Sequence, residues 1–109
     1  MIKFKCLVNG AIAHPVRERV ARGLERIYGE RFGLPPGELS VEFIEVEAGM
    51  WFTAGRPSDA SMVLGSVPPG TPQRERVEVM DAVARMFSEA TGSTYEHVMV
   101  VAADARPSA

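Results

Sequence analysis

The sequence has a single cysteine, almost no excess of charge and no long apolar run, and each of these excludes a class of protein. Because Cys6 is the only cysteine among 109 residues, no disulfide forms within the chain, and a reducing cytoplasm is the expected location. The net charge of −2 at pH 7 gives no argument for binding to nucleic acid or to an anionic membrane, and neither is expected as a partner. No apolar run approaches the roughly 18 residues of a membrane span, and the start, MIKFKCLVNG, lacks the pattern of a signal peptide.

Motifs for bound cofactors and metals are missing as well. The chain contains no P-loop, GxGxxG, GxSxG or CxxC motif. Its two histidines, His14 and His97, do not combine with Cys6 in the spacing of a zinc site. We therefore expect neither a cofactor nor a metal ion.

What the sequence does contain is an alternation of strand and helix patterns. Short apolar or alternating segments predict four strands, at Ile2 to Val8, Leu39 to Val46, Ala60 to Val67 and Tyr95 to Ala103. Apolar residues at helical spacing predict two helices, one from Pro15 to about Arg31 and one that starts at Thr71, as N-cap, with Pro72 in its first turn and ends at Gly92. A spacer, residues 47–59, is expected to form a hairpin or crossing segment, and residues 106–109 a loose tail.

The two halves of the chain echo each other. PVRERV, residues 15–20, matches PQRERV, residues 72–77, at an offset of 57 residues. The order strand, helix, strand also recurs on both sides of the spacer. We predict one domain over residues 1–109, with pseudo-repeats 1–46 and 60–104. The fold class is α/β: two right-handed βαβ units form a four-stranded mixed sheet with both helices on one face, plus short hairpin strands.

This arrangement leaves one face of the sheet uncovered. The strands are apolar on both faces, so the open face carries apolar side chains that are not expected to stay in water. We expect a homo-oligomer that buries this face. The alternative is that the spacer folds across the face in a monomer.

Three stretches resemble the tautomerase superfamily, in its macrophage migration inhibitory factor and cis-3-chloroacrylic acid dehalogenase branches. VEFIEVEAGMWFTAG, residues 41–55, resembles the second strand and its glycine-rich hairpin. MVLGSV, residues 62–67, resembles the third main strand, and HVMVV, residues 97–101, resembles the strand that follows the second helix. In order and spacing the resemblance covers nearly the whole chain, from Met1 to about Asp104.

The resemblance implies a homotrimer in which three sheets form a barrel with the helices outside. It also implies a pocket for a small organic ligand near the N-terminus, between subunits. The expected activity is that of an isomerase or tautomerase, or of a related lyase or hydrolase, on enols, 2-oxo acids or unsaturated acids. In the family an N-terminal proline with a lowered pKa does the chemistry.

This chain departs from the family at the catalytic positions. Residue 2 is Ile2, whose bulk prevents removal of the first methionine, so the amine of Met1 is the catalytic candidate; alternatively it is only a chain end. The arginines that follow the third main strand in the dehalogenase branch are absent from residues 67–71, and Val101 replaces a tyrosine. Leu34 stands where the other branch carries a lysine. A non-catalytic homotrimer that binds a small ligand or a protein is therefore the second hypothesis.

The remaining candidates are one histidine and a set of pocket residues. His14, at the start of the first helix, is expected near the pocket rim as an acid or base; alternatively it is a solvated residue at the helix start. Trp51 and Phe52 either line the pocket or anchor the spacer on a neighbouring subunit. The full set of pocket-lining candidates is Ile2, Leu34, Trp51, Phe52, Ser66, Val67, Met99 and Val101.

Overall fold

The computed structural model describes residues 1–105, and the predicted tail, residues 106–109, lies outside that range. In chain order the elements are β1 (Ile2–Asn9), α1 (His14–Phe32), β2 (Leu39–Val46), β3 (Phe52–Thr53), β4 (Arg56–Pro57), β5 (Ser61–Val67), α2 (Gln73–Thr91) and β6 (Val98–Asp104). Short 3₁₀ turns at Pro36–Glu38 and Tyr95–His97 lead into β2 and β6. Within residues 1–105, neither helix is long and apolar enough to span a membrane.

The sheet is four-stranded and mixed, as predicted. Its strand order is β2-β1-β5-β6, with β1 parallel to β2, β5 parallel to β6, and β1 antiparallel to β5. Both helices pack on one face, and β3 and β4 form a separate two-stranded hairpin. The predicted fold class is confirmed.

Two local predictions were wrong for identifiable reasons. The last strand begins at Val98 rather than Tyr95, because residues 95–97 close a 3₁₀ turn in which the His97 N–H donates to the Thr94 carbonyl over 2.9 Å. Thr71 does not cap α2. Its hydroxyl donates instead to the Pro68 carbonyl at 2.6 Å, and α2 starts at Gln73 without a side-chain cap.

The core lies between the sheet and the two helices. Alternate residues of β1 point towards the helices, as the period of a strand requires, while the residues between them face the open side. The ring of Phe4 lies against Gly65 of β5 and meets the Tyr28 ring edge-on at 5.0 Å between centroids. A Cβ on Gly65 would lie 2.4 Å from Phe4 Cε1, so this close approach of ring and backbone requires glycine.

The side chains on the open face of the sheet form rows that cross the strands. One row is apolar on all four strands and consists of Ile44, Leu7, Met62 and Met99. The next row is charged on β2 and β1 and apolar on β5 and β6, and consists of Glu42, Lys5, Leu64 and Val101. The β5–β6 half of the face is therefore apolar, whereas the β2–β1 half carries charges beside the apolar row.

Candidate functional site

The N-terminal edge of the sheet is where the resemblance places the pocket. β1 and β2 begin at this edge, and β5 and β6 end at it, because β5 runs antiparallel to β1. Met1 is 66% exposed here, while Ile2 is buried in the core. The Tyr28 hydroxyl donates to the Ser66 carbonyl at 2.8 Å and so joins α1 to the end of β5. Burial raises the pKa of Tyr28 above its usual range, so its hydroxyl stays protonated and remains a hydrogen-bond donor.

Arg76 is occupied with structural contacts at the end of β6. Its Nη1 donates to the Ala102 carbonyl at 2.9 Å, and its Nη2 donates to Asp104 Oδ1 at 2.5 Å. Its Nε is buried and has no partner among residues 1–105. The side chain therefore fixes the last strand rather than presenting a free guanidinium to a substrate carboxylate.

The pocket-lining candidates do not come together within one protomer. Ser66 lies at the N-terminal edge, whereas Met99 lies near the start of β6, at the opposite end of the sheet. Val67, like Ile2, is buried beneath the helices. Val101 is 48% exposed on the open face. Any single pocket that includes both ends of this set therefore needs a second subunit.

The remaining candidates lie in connecting segments. Leu34 follows α1 and packs against the core. Trp51 and Phe52 begin the hairpin, with Trp51 partly buried and Phe52 59% exposed. The hairpin turns at Ala54 and Gly55, both of which have positive φ, the backbone of a tight two-residue turn.

His14 is placed away from Met1. It follows the end of β1, so the eight residues of that strand separate the two ends, a distance of about 25 Å at roughly 3.3 Å per residue. Its Nε2 lies 2.8 Å from Glu18 Oε1 on the helix surface, and its side chain is 70% exposed. Within one protomer the β1–α1 connection, and with it His14, lies at the far end of the sheet from Met1. The expectation that His14 borders a pocket between subunits stays a prediction.

Two features on the far side from Met1 were not found by sequence reasoning. One is a contact between Asp59 and His97, whose Oδ1 and Nδ1 lie 3.1 Å apart beside a cavity of 270 Å³. The signal for it was the parallel pairing of β5 with β6, which brings the residues that precede Ser61 and Val98 together. The other is a cleft of 230 Å³ between the β1–α1 connection and the end of α2.

A polar cluster on α2 is exposed to solvent. The Tyr95 hydroxyl donates to Asp81 Oδ1 at 2.6 Å, and Arg85 Nε donates to Asp81 Oδ2 at 2.9 Å. The Tyr95 hydroxyl, and then Arg85, lower the pKa of Asp81 below its usual value. The Arg85 guanidinium also lies 5.0 Å from the centre of the Tyr95 ring. The cluster secures the turn before β6 to α2.

No potential metal site was found in the part of the chain from residue 1 to 105, where no group of three or more His, Cys, Asp or Glu side chains converges. Cys6 is free and fully buried. Burial raises its pKa to about 12, so the thiol is protonated and unreactive at neutral pH.

Solved structures with this fold provide the comparison with known proteins. Native Ps01740 is 26% identical and superposes with a TM-score of 0.88, covering 94% of this chain and 93% of the other. N1, a member of the cis-3-chloroacrylic acid dehalogenase family, is 18% identical with a TM-score of 0.87 over 94% of this chain and 74% of its own. A fused 4-OT, described as a symmetric trimer, is 15% identical with a TM-score of 0.85 over 94% and 85% of the two chains.

No family model and no curated protein matches the sequence. The resemblance to tautomerase-superfamily structures expected from the sequence is nevertheless confirmed by the structural comparison. The chain has the fold of that superfamily, in a form whose second residue is isoleucine.

Proposed function

We propose that the protein is a homotrimer in which the open sheet faces of three chains are buried together. The support is the apolar row that crosses all four strands, two of whose members, Ile44 and Met99, are 37% and 41% exposed in the single chain. Such a face gains free energy when it leaves water. The trimeric state described for a fused 4-OT of the same fold supports three copies.

We further propose that the trimer acts, without a cofactor, on a small enol, 2-oxo acid or unsaturated acid as an isomerase or tautomerase, or as a related lyase or hydrolase. The observation that carries this proposal is the Met1 amine, which lies immediately before β1 at the N-terminal edge, in a residue that is exposed. A neutral primary amine accepts a proton from an enol hydroxyl or from a carbon next to a carbonyl. It also forms an imine with a carbonyl carbon, with loss of water.

The chemistry available at this edge favours an uncharged or aromatic ligand over a small dicarboxylate. Arg76 is held by the end of β6, and Val67 and Ile2 contribute apolar bulk beneath the edge. The open-face residues Ser66 and Val101 supply one hydroxyl and one apolar wall. An apolar site with few charges disfavours a ligand that brings two uncompensated charges.

A second candidate function is a non-catalytic trimer that binds a small organic ligand or a protein. The observation that favours it is Ile2 in the place of the family's proline, with its side chain in the core. We also propose the cytoplasm as the location, on the basis of the free thiol of Cys6.

The test measures conversion of enol to keto phenylpyruvate by the native protein. Its matched control carries one extra residue before Met1, which moves the amine away from the edge and leaves the rest of the chain unchanged. The enzyme proposal expects turnover above buffer by the native protein and its loss in the control. Absence of turnover together with measured ligand binding would favour the second candidate, and equal turnover by both proteins would show that Met1 does not act.

A further inference from the structure

The aspartate beside the hairpin is held in place on both sides. Ser58 precedes it, and the Ser58 N–H donates to the Trp51 carbonyl at 2.8 Å. Ser58 Oγ accepts hydrogen bonds from the Thr53 hydroxyl at 2.7 Å and from the Ala60 N–H at 3.0 Å. These bonds fix the backbone on both sides of Asp59, whose carboxylate is exposed.

The histidine opposite is also positioned by its backbone. His97 ends the 3₁₀ turn before β6, and β6 is in parallel register with β5 from the Ser61–Val98 pair onwards. Its Nδ1 lies 3.1 Å from Asp59 Oδ1. A carboxylate at Nδ1 favours the tautomer that carries the proton there, which leaves the lone pair on Nε2 as a hydrogen-bond acceptor.

The pair borders a cavity that is large enough for a small organic molecule. Its volume is 270 Å³, the space of about nine water molecules at roughly 30 Å³ each. Pro57 and Met99 form apolar walls, and Thr53, Ser58 and Glu96 join the pair in the lining. Because Ser58 Oγ already accepts two hydrogen bonds, its own hydrogen is available to a ligand acceptor.

The charge around the cavity selects against anions. Two carboxylates, Asp59 and Glu96, line it, and no lysine or arginine does among the residues that the structure describes. A ligand carboxylate would therefore meet like charges at short range. An uncharged molecule would meet acceptors on His97 and on the two carboxylates, and a donor on Ser58.

We propose that Asp59 and His97 form a second binding site, for an uncharged organic molecule that carries a hydroxyl group. His97 Nε2 accepts the hydrogen of that hydroxyl, Asp59 is the positioning residue that orients the imidazole, and Pro57 covers the ligand's apolar part. The site does not rest on the function proposed for Met1, because within one chain the two lie at opposite ends of the sheet.

The experiment follows the imidazole Hε1 signals of the native protein by NMR during titration with 4-hydroxyacetophenone. The charged analogue 4-hydroxybenzoate is titrated in parallel, and a one-residue extension before Met1 shows whether any effect depends on the N-terminal edge. His14 is a built-in control, because it also faces a carboxylate, that of Glu18 at 2.8 Å, but lies on an open helix surface. We expect the ketone to shift the His97 signal saturably in both proteins and to leave the His14 signal unchanged.

Variants then separate binding from a general effect on the fold. His97→Gln is expected to weaken binding of the ketone about tenfold, the effect of losing one hydrogen bond, and Asp59→Asn is expected to weaken it less. His14→Gln should bind as the native protein does, and 4-hydroxybenzoate should bind about tenfold more weakly than the ketone. The proposal is overturned if the ketone leaves the His97 signal unmoved, if both histidines shift together, if Asp59→Asn binds as the native protein does, or if the benzoate binds as tightly as the ketone.

Discussion

The assembly proposal makes a prediction about one residue in the middle of the open face. Met62 lies in the centre of the apolar row, between Leu7 and Met99, and Met62→Lys places a charge there. Full burial of a large apolar side chain contributes about 1.5–3 kcal/mol. Ile44, Met99 and Val101 are 37%, 41% and 48% exposed, so each gains about 1 kcal/mol on assembly.

The cost of burying the lysine is at least as large as the free energy that assembly gains from the apolar side chains. Moving an ammonium group from water into an apolar interface costs several kcal/mol in each subunit, against a gain of about 3 kcal/mol from the three side chains together. We therefore expect Met62→Lys to dissociate the trimer without unfolding the chain. Gln73→Lys, which adds the same charge at an exposed position on the helix side, is the matched control.

The assay is light scattering coupled to size-exclusion chromatography. The native protein and Gln73→Lys should give three times the chain mass of 11.8 kDa, and Met62→Lys should give the chain mass alone. A Met62→Lys protein that keeps the native mass would refute the burial of this face. A native protein that runs at 11.8 kDa would refute it more simply.

Three further predictions concern the core and its charges. Gly65→Ala places a Cβ 2.4 Å from Phe4 Cε1 and should lower the free energy of unfolding in urea by about 1–3 kcal/mol. The control Gly37→Ala, with open space around it, should lower it far less, and equal effects would contradict the packing of Phe4 on Gly65. Burial raises the pKa of Cys6 to about 12, so the thiol should react with a disulfide reagent only on the timescale of unfolding. Rapid reaction of the native protein would show that the Cys6 thiol on β1 is accessible to solvent. The hydrogen bonds to Asp81 lower the pKa of its carboxyl from 3.8. At about pH 7 the native protein should therefore have a larger free energy of unfolding than Asp81→Asn. That difference in the free energy of unfolding should shrink as the pH falls below about 4 and through the lowered pKa. A difference that persists in acid would show that it does not come from the charge of Asp81.

The elements of this fold were predictable because each follows from local pattern. Residues 39–46 were predicted as a strand with the observed bounds, since their alternation matches a sheet with one covered face. Gly92 ends α2 with positive φ, as its position after the last apolar turn indicated. The pseudo-repeat of the two halves stays a prediction.

The site at Asp59 and His97 was harder to predict because it depends on contacts between distant segments. Asp59 and His97 are separated by the whole of α2, and neither belongs to a motif; only the register of Ser61 with Val98 brings them together. Similarly, nothing in the local sequence shows that Arg76 is held by Asp104. Side chains that act across a sheet edge follow from topology, which local periodicity does not contain.

The central claim, that the N-terminal amine is the reacting group of a tautomerase-type site, is tested most directly by Ile2→Pro. This change allows removal of the first methionine and presents a secondary amine at the start of β1. Ile2→Ala is the matched control, because it also allows removal and also deletes the buried side chain of Ile2, but it leaves a primary amine. Both termini are confirmed by mass spectrometry and both assemblies by light scattering. We predict that Ile2→Pro converts enol to keto phenylpyruvate faster than Ile2→Ala and faster than the native protein; a trimeric Ile2→Pro protein with the confirmed terminus and no activity would contradict the claim.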